Sequence, residues 1–409
     1  MTRGLPWPGL GAATAHRVPE GRAGVRWKTR WRGRRAGVSD PRVPGSLLVN
    51  FVYCHPVGHA IEALHRCHGY HRADPDLRIG VVLNAATPVE LARLCPFLDE
   101  VHAVEVDVFD GSADFTPQLA RIARDWDQVV EDERASQPWQ RDLFPGLARY
   151  YDQARGHFRD GGARWPYSAG EAFRLPVPAT PHEGVRIAVL PGGSSPRRFY
   201  PSVRSWRLVL GALAARFPGA EFVFVGKLRE DGRTSTSFAR AEFDELIGSV
   251  RSVDAVDRPL VEQLAEVASS DVLVSPHSGF SMAGLAVGTP WLAISGNRWP
   301  EYYFPGTPFY SVLPDLTRFP SFNLFTEDPE PVDDDGPRMP SMSRRRIAAD
   351  LDRIVDGAAR LVERRWDFDT ALADHVRRMV ELGVRPEWMW SVDDVHRRHL
   401  PGHRRHPGR

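Results

Sequence analysis

The residues best suited to chemistry fall in three short stretches. After an apolar strand at Ser46 to Tyr53, the chain enters a loop and helix dense in histidine: His55, His59, His65, His68 and His71, with Cys54 and Cys67 among them. An imidazole, with its ordinary pKa of about 6.5, takes a proton from a hydroxyl near neutrality. His59 follows Gly58 at the expected start of the first helix and is the candidate general base. His55, in the same loop, is its nearest competitor and a candidate acceptor contact. His65, His68 and His71 recur every third residue. No Asp or Glu completes a recognisable ligand set with them, and the compact paired spacings of zinc sites are missing, so no metal is expected.

The second stretch, Asp271 to Gly296 (DVLVSPHSGFSMAGLAVGTPWLAISG), reads strand, tight turn, helix, loop, strand. Its turn places His277, Ser278 and Gly279 at a helix N-terminus, where backbone N–H groups lack internal partners and favour an anion. Ser281, Ala283, Gly284 and Ala286 keep that helix slender enough to lie close against a sheet. The third stretch, Arg186 to Pro201 (RIAVLPGGSSPRRFYP), reads as a strand, then Gly192, Gly193, Ser194 and Ser195, then the paired Arg197 and Arg198, with a helix beginning near Pro201. Glycines let backbone amides approach a phosphate, while hydroxyls and guanidinium groups add charge-assisted donors. The loop has neither the Lys-Ser/Thr ending of a Walker loop nor the spacing of a dinucleotide fingerprint. Two such loops at strand carboxyl ends of one sheet converge on the crevice where open α/β sheets bind ligands, and together they point to a diphosphate.

Four stretches resemble the heptosyltransferase family of GT-B glycosyltransferases, enzymes related to those that add ADP-heptose to lipopolysaccharide. LPGGSSPRRFYPSVRSWRLVLGALAARFPGAEFVFVG is similar to that family's start of the donor domain. DVLVSPHSGFSMAGLAVGTPWLAISG is similar to its strand, Asp-Thr-Gly turn, His-containing helix and Leu-Gly-Thr-Pro ending. LLVNFVYCHPVGHAIEAL and WDQVVED resemble its first strand with glycine turn and a later strand of the N-terminal half. The likeness covers roughly Ser46 to Pro314. It departs at three places: His277 stands where the family has Asp, Met282 where its helix carries His, and Gly58-His59 where it places a catalytic Asp after glycine. A Gly-His pair there is similar instead to nucleotide-sugar transferases of small-molecule glycosylation, which use a first-loop histidine as base. The resemblance implies two Rossmann-like domains with parallel sheets facing a central crevice.

The elements that must position these residues follow a βα rhythm. Strands are expected at Leu77 to Leu83, Glu100 to Val106 and Arg124 to Asp132, with an aromatic, helical stretch from Gln137 to His157. Asp132 is a candidate acceptor contact. Glu221 to Val225 is a strand ending at Gly226-Lys227, which puts Lys227 at the crevice as a candidate donor contact. The expected organisation is a basic disordered leader over 1–44, an acceptor domain over 45–160, a Pro/Gly-rich linker over 161–184, a donor domain over 185–342, closing amphipathic helices over 343–400 and a tail over 401–409. Within the 342-bounded segment, Asp333-Asp334-Asp335 follows no strand and is read as part of a loop.

Composition narrows the class. The chain of 409 residues has 42% hydrophobic and 26% charged residues and a formal net charge of +1, which gives no whole-molecule reason to expect nucleic acid. No apolar run reaches the ~20 residues of a membrane span, which leaves only peripheral membrane contact. Three cysteines fit a reducing cytoplasm. The chemistry expected is inverting glycosyl transfer of hexosyl or heptosyl type from a nucleotide-diphosphate sugar to a hydroxyl of a small-molecule or glycan acceptor, with no cofactor. The alternatives are a sugar-nucleotide 2-epimerase of the same fold and a non-catalytic nucleotide-sugar binding protein. The first needs carboxylates on the donor helix, and the second has no use for His59.

Overall fold

The computed structural model describes residues 45–52, 57–132, 137–229, 235–298, 306–321 and 336–400. The leader, His55, the Asp333 to Asp335 run and the tail lie outside the described residues. The N-terminal half contains β1 (Ser46–Asn50), α1 (Val57–Ala73), β2 (Arg78–Asn84), α2 (Val89–Arg93), β3 (Glu100–Val104), α3 (Thr116–Leu119), β4 (Asp125–Trp126), β5 (Gln128–Glu131), α4 (Pro138–Leu143), α5 (Pro145–His157) and β6 (Arg159–Asp160). Its sheet is four-stranded and parallel, in the order β3-β2-β1-β5. The strand interiors read as apolar runs because both faces are covered; Leu47, Leu48 and Val49 are fully buried.

The C-terminal half contains β7 (Arg186–Val189), α6 (Val203–Arg216), β8 (Glu221–Phe224), α7 (Arg240–Ile247), β9 (Ser252–Asp254), α8 (Leu260–Ala268), β10 (Val272–Pro276), α9 (Gly279–Ala286), β11 (Trp291–Ile294) and β12 (Phe309–Val312), followed by α10 (Arg344–Ala349), α11 (Leu351–Val362) and α12 (Phe368–Glu381). Its sheet is six-stranded and parallel, in the order β12-β11-β10-β7-β8-β9. The neighbours β7 and β10, the central pair of the sheet, run into the two glycine-containing turns, so those turns emerge side by side at the carboxyl ends of its strands. Gly284 is required by close packing: a Cβ there would come within 2.6 Å of Leu273 Cδ2 on β10. One apolar core runs continuously between the two halves, with Ile61 and Leu64 of α1 sharing it with Met282, Ala283 and Ala286 of α9.

The aromatic stretch over α4 and α5 is largely core. Tyr150 and Tyr151 are fully buried, and their hydroxyls donate to the side-chain and backbone oxygens of Asn50 at 2.7 and 3.4 Å.

Three of the five histidines take structural positions. His71 stacks on Phe97, and His68 lies between Phe97 and Phe173, where burial drives its pKa down to about 4. His65 pairs with Asp393 at 2.9 Å, the two side chains being 1% and 2% exposed. Asp393 also accepts from the Tyr167 hydroxyl at 2.6 Å and from the Gly170 amide at 2.9 Å. One carboxylate thus fastens the C-terminal segment to α1 and to the connection between the halves. Its backbone has φ of 57°, a conformation Asp and Asn tolerate better than most residues.

Burial alone would raise the Asp393 carboxyl, but the His65, Tyr167 and Gly170 hydrogen bonds hold it below the ordinary value. A depressed carboxyl contributes stability that is present above the unfolded-state pKa of about 3.9 and lost as pH falls through the folded one. Asp393→Asn keeps the shape and removes the charge. Denaturant unfolding near neutrality should show a loss of about 3 kcal/mol, as for other broken buried pairs. The gap between parent and variant should narrow as pH falls below about 4.

Candidate functional site at the junction of the two sheets

The N-terminal end of α1 lies against that of α9. A Cβ built on Gly58 would sit 3.4 Å from Gly279 Cα and 3.2 Å from Met282 Cγ, so a larger residue there would push the two helices apart. His59 follows the first of these touching glycines, and His277 precedes the second by two residues. The first turns of α1 and α9 are therefore in contact.

His59 is 7% exposed. Its Nδ1 lies 3.7 Å from Glu62 Oε2, one turn further along α1. At that distance the carboxylate is a charge neighbour of the imidazole and not a hydrogen-bond partner, and a negative charge nearby favours the protonated ring. Glu62 was not singled out from the sequence. Its signal was the i,i+3 spacing, which places both side chains on one helix face.

Ser278 caps α9, its hydroxyl oxygen accepting from the Ser281 amide at 3.2 Å. His277 packs its ring 5.9 Å from that of Trp291. The other glycine turn approaches from β7: a Cβ on Gly193 would lie 3.7 Å from Ser278 Cβ. The Thr236 hydroxyl donates to the Gly192 carbonyl and the Ser237 amide to the Gly193 carbonyl, each at 2.8 Å. Because a trans peptide points its N–H opposite to its C=O, the Gly193 and Ser194 amides are turned away from residues 236 and 237. The Gly193 amide faces the Tyr200 hydroxyl.

The remaining predicted donor contacts are placed differently. Gly192 is explained by packing, since a Cβ there would meet the rings of Phe238 and Tyr200 at 2.8 and 2.9 Å. The Ser195 amide donates to the Tyr200 hydroxyl at 3.1 Å. Arg197 and Arg198 form a 3-10 turn ending at Phe199, and the helix expected near Pro201 begins at Val203, capped by Ser202. Arg197 forms an ion pair with Glu242 of α7. Buried Arg338 fixes the turn from below by donating to the Arg197 and Tyr200 carbonyls at 3.0 and 2.6 Å. Lys227 follows Gly226 at the carboxyl end of β8, and its carbonyl accepts from the Thr236 amide.

Asp132, the acceptor contact expected from the sequence, is 3% exposed at the end of β5. Glu131 beside it is more open, and it accepts from the Arg155 guanidinium at 2.8 Å. Burial raises the Glu131 carboxyl, with Arg155 pulling the other way. Among the described residues no three His, Cys, Asp or Glu side chains are grouped to hold a metal ion, and no helix is long and apolar enough to cross a membrane. A shallow cleft between α6 and α11, lined by Ala212, Arg216, Asp356 and Ala359, shares no residue with the junction.

Neither a family model nor a curated protein sequence matches the chain. Solved structures do resemble it. A glycosyl transferase of family 9 from Veillonella parvula aligns over 76% of this chain and 97% of its own, at a TM-score of 0.49 and 13% identity. The E. coli heptosyltransferase WaaC with ADP aligns over 77% and 99%, at 0.45 and 12% identity. The E. coli ADP-heptose lipopolysaccharide heptosyltransferase II aligns over 76% and 98%, also at 0.45 and 12%.

Proposed function

We propose that the chain is a glycosyltransferase that moves a sugar from a nucleoside-diphosphate donor to an acceptor hydroxyl, inverting the anomeric centre. The observation that carries this reading is the contact of Gly58 with Gly279, which brings the base candidate His59 beside the anion-binding turns of the second sheet. Inverting transfer needs one group to take the acceptor proton as the anomeric carbon is attacked, and a set of donors for the charge that develops on the departing diphosphate. His59 supplies the first, with the Glu62 carboxylate as a charge neighbour. The Ser194 amide, the Ser278 hydroxyl and the first amides of α9 supply the second, joined by Arg197 and Arg198 once a diphosphate draws Arg197 from Glu242. Arginines and helix dipoles are sufficient for that charge, so the reaction is proposed to be metal-independent. The acceptor would approach from the N-terminal sheet, near Asp132 and Glu131. The two domains of the proposal meet between residues 161 and 184.

An epimerase reading is not favoured, because α9, GFSMAGLA, carries no carboxylate to move a sugar proton. Incubation with a panel of nucleotide sugars and simple alcohol or glycan acceptors separates the readings. Release of nucleoside diphosphate that depends on the acceptor is expected. An epimerised donor sugar, or binding with no turnover across acceptors, would overturn the proposal.

A further inference from the structure

Three buried side chains beneath the Ser278 turn have no part in the chemistry above. Trp291, Ser275 and Ser281 are all fully buried, and with Ser278 they form an unbroken hydrogen-bonded line. The Trp291 Nε1–H donates to Ser275 Oγ at 2.9 Å. Ser275 Oγ lies 2.7 Å from Ser281 Oγ, which in turn lies 2.8 Å from Ser278 Oγ.

The direction of this line follows from its first member. An indole N–H can only donate, so Ser275 accepts from it, and since Ser281 Oγ is the one acceptor among the described residues within reach of the Ser275 proton, that proton goes to Ser281. The Ser281 proton then has two oxygens in reach, Ser278 at 2.8 Å and the Pro276 carbonyl at 3.4 Å, and the shorter contact is the normal length for such a bond. Ser278 Oγ thereby accepts twice, from the Ser281 hydroxyl and from the Ser281 amide. With both lone pairs filled, its own proton is left to point out of the line. Gly193 is the neighbour against Ser278. Aligned hydroxyls also polarise one another, which strengthens the last donor.

We propose that Trp291, Ser275 and Ser281 are positioning residues that commit the Ser278 hydroxyl to donating, so that the turn takes an unprotonated phosphate oxygen and disfavours a ligand hydroxyl. This deepens the glycosyltransferase reading and rests on it.

The test is a double-mutant cycle read by titration calorimetry with a panel of nucleoside diphosphates. Trp291→Phe removes the head of the line, and Ser281→Ala, a smaller change inside it, is the second variant should the first fail to fold. Each is expected to weaken the tightest-binding diphosphate about three- to tenfold in the parent. In a Ser278→Ala background each should have almost no effect, because the group through which they act is gone. Equal losses in both backgrounds, or no loss in the parent, would overturn the relay while leaving the donor site intact. A parent that binds no nucleoside diphosphate would overturn the glycosyltransferase reading itself.

Discussion

His59→Ala is expected to lower turnover about a hundredfold or more while leaving donor binding nearly unchanged. A positioned general base contributes on that order, and its loss falls on the chemical step because the imidazole meets the acceptor hydroxyl, not the nucleotide. His59 is suited to this place by its position one residue beyond the Gly58 contact with Gly279 and by Glu62 at 3.7 Å from Nδ1. Steady-state and single-turnover rates with the identified acceptor would check it, alongside diphosphate affinity. Should the variant keep near-parental turnover, the role would pass to His55 or to a carboxylate such as Asp132. Should it unfold, His59 would be a packing residue of α1. Glu62→Gln should reduce turnover less than His59→Ala does, since the imidazole remains.

The double variant Arg197→Ala with Arg198→Ala is expected to weaken nucleoside diphosphate binding by about 1.5 to 3 kcal/mol, the range of a charge-assisted hydrogen bond, or roughly ten- to a hundredfold in Kd. In the free protein Arg197 is held by Glu242. Glu242→Gln should therefore tighten binding, because the phosphate no longer competes with a carboxylate for that guanidinium. Calorimetric titration of both variants decides the matter. Unchanged affinity in the double alanine variant would make this 3-10 turn a purely structural link, held by Arg338 for the sake of the fold.

Much of the frame was legible in the sequence because local signals suffice for it. The apolar runs at Leu47 to Val49 and Val272 to Val274 announce strands buried on both faces, and Ser278 before a small-residue segment announces a capped helix packed on its sheet. The Gly58 contact with Gly279 could be anticipated only as a convergence of two turns, since it joins residues more than two hundred positions apart. Long-range pairings gave no such signal. Nothing near His65 points to Asp393, and the helical recurrence of His65, His68 and His71 invited a metal reading for residues that instead meet a carboxylate and aromatic rings. The glycine turn shows the same limit. Gly192 and Gly193 look alike in sequence, yet Gly192 yields to Phe238 and Tyr200 while Gly193 approaches Ser278. The serines at 275 and 281 read as ordinary small residues of a strand and a helix, and only the Trp291 indole gives their hydroxyls a direction.

The central claim is that the junction of α1 and α9 receives the donor's diphosphate, and a crystal structure of the full chain with its tightest-binding nucleoside diphosphate tests it most directly. The predicted result is a diphosphate within ~3 Å of the Ser278 hydroxyl and of the Ser194 amide, beside the close approach of Gly58 to Gly279. A nucleotide seated elsewhere, for instance in the cleft between α6 and α11, would contradict it.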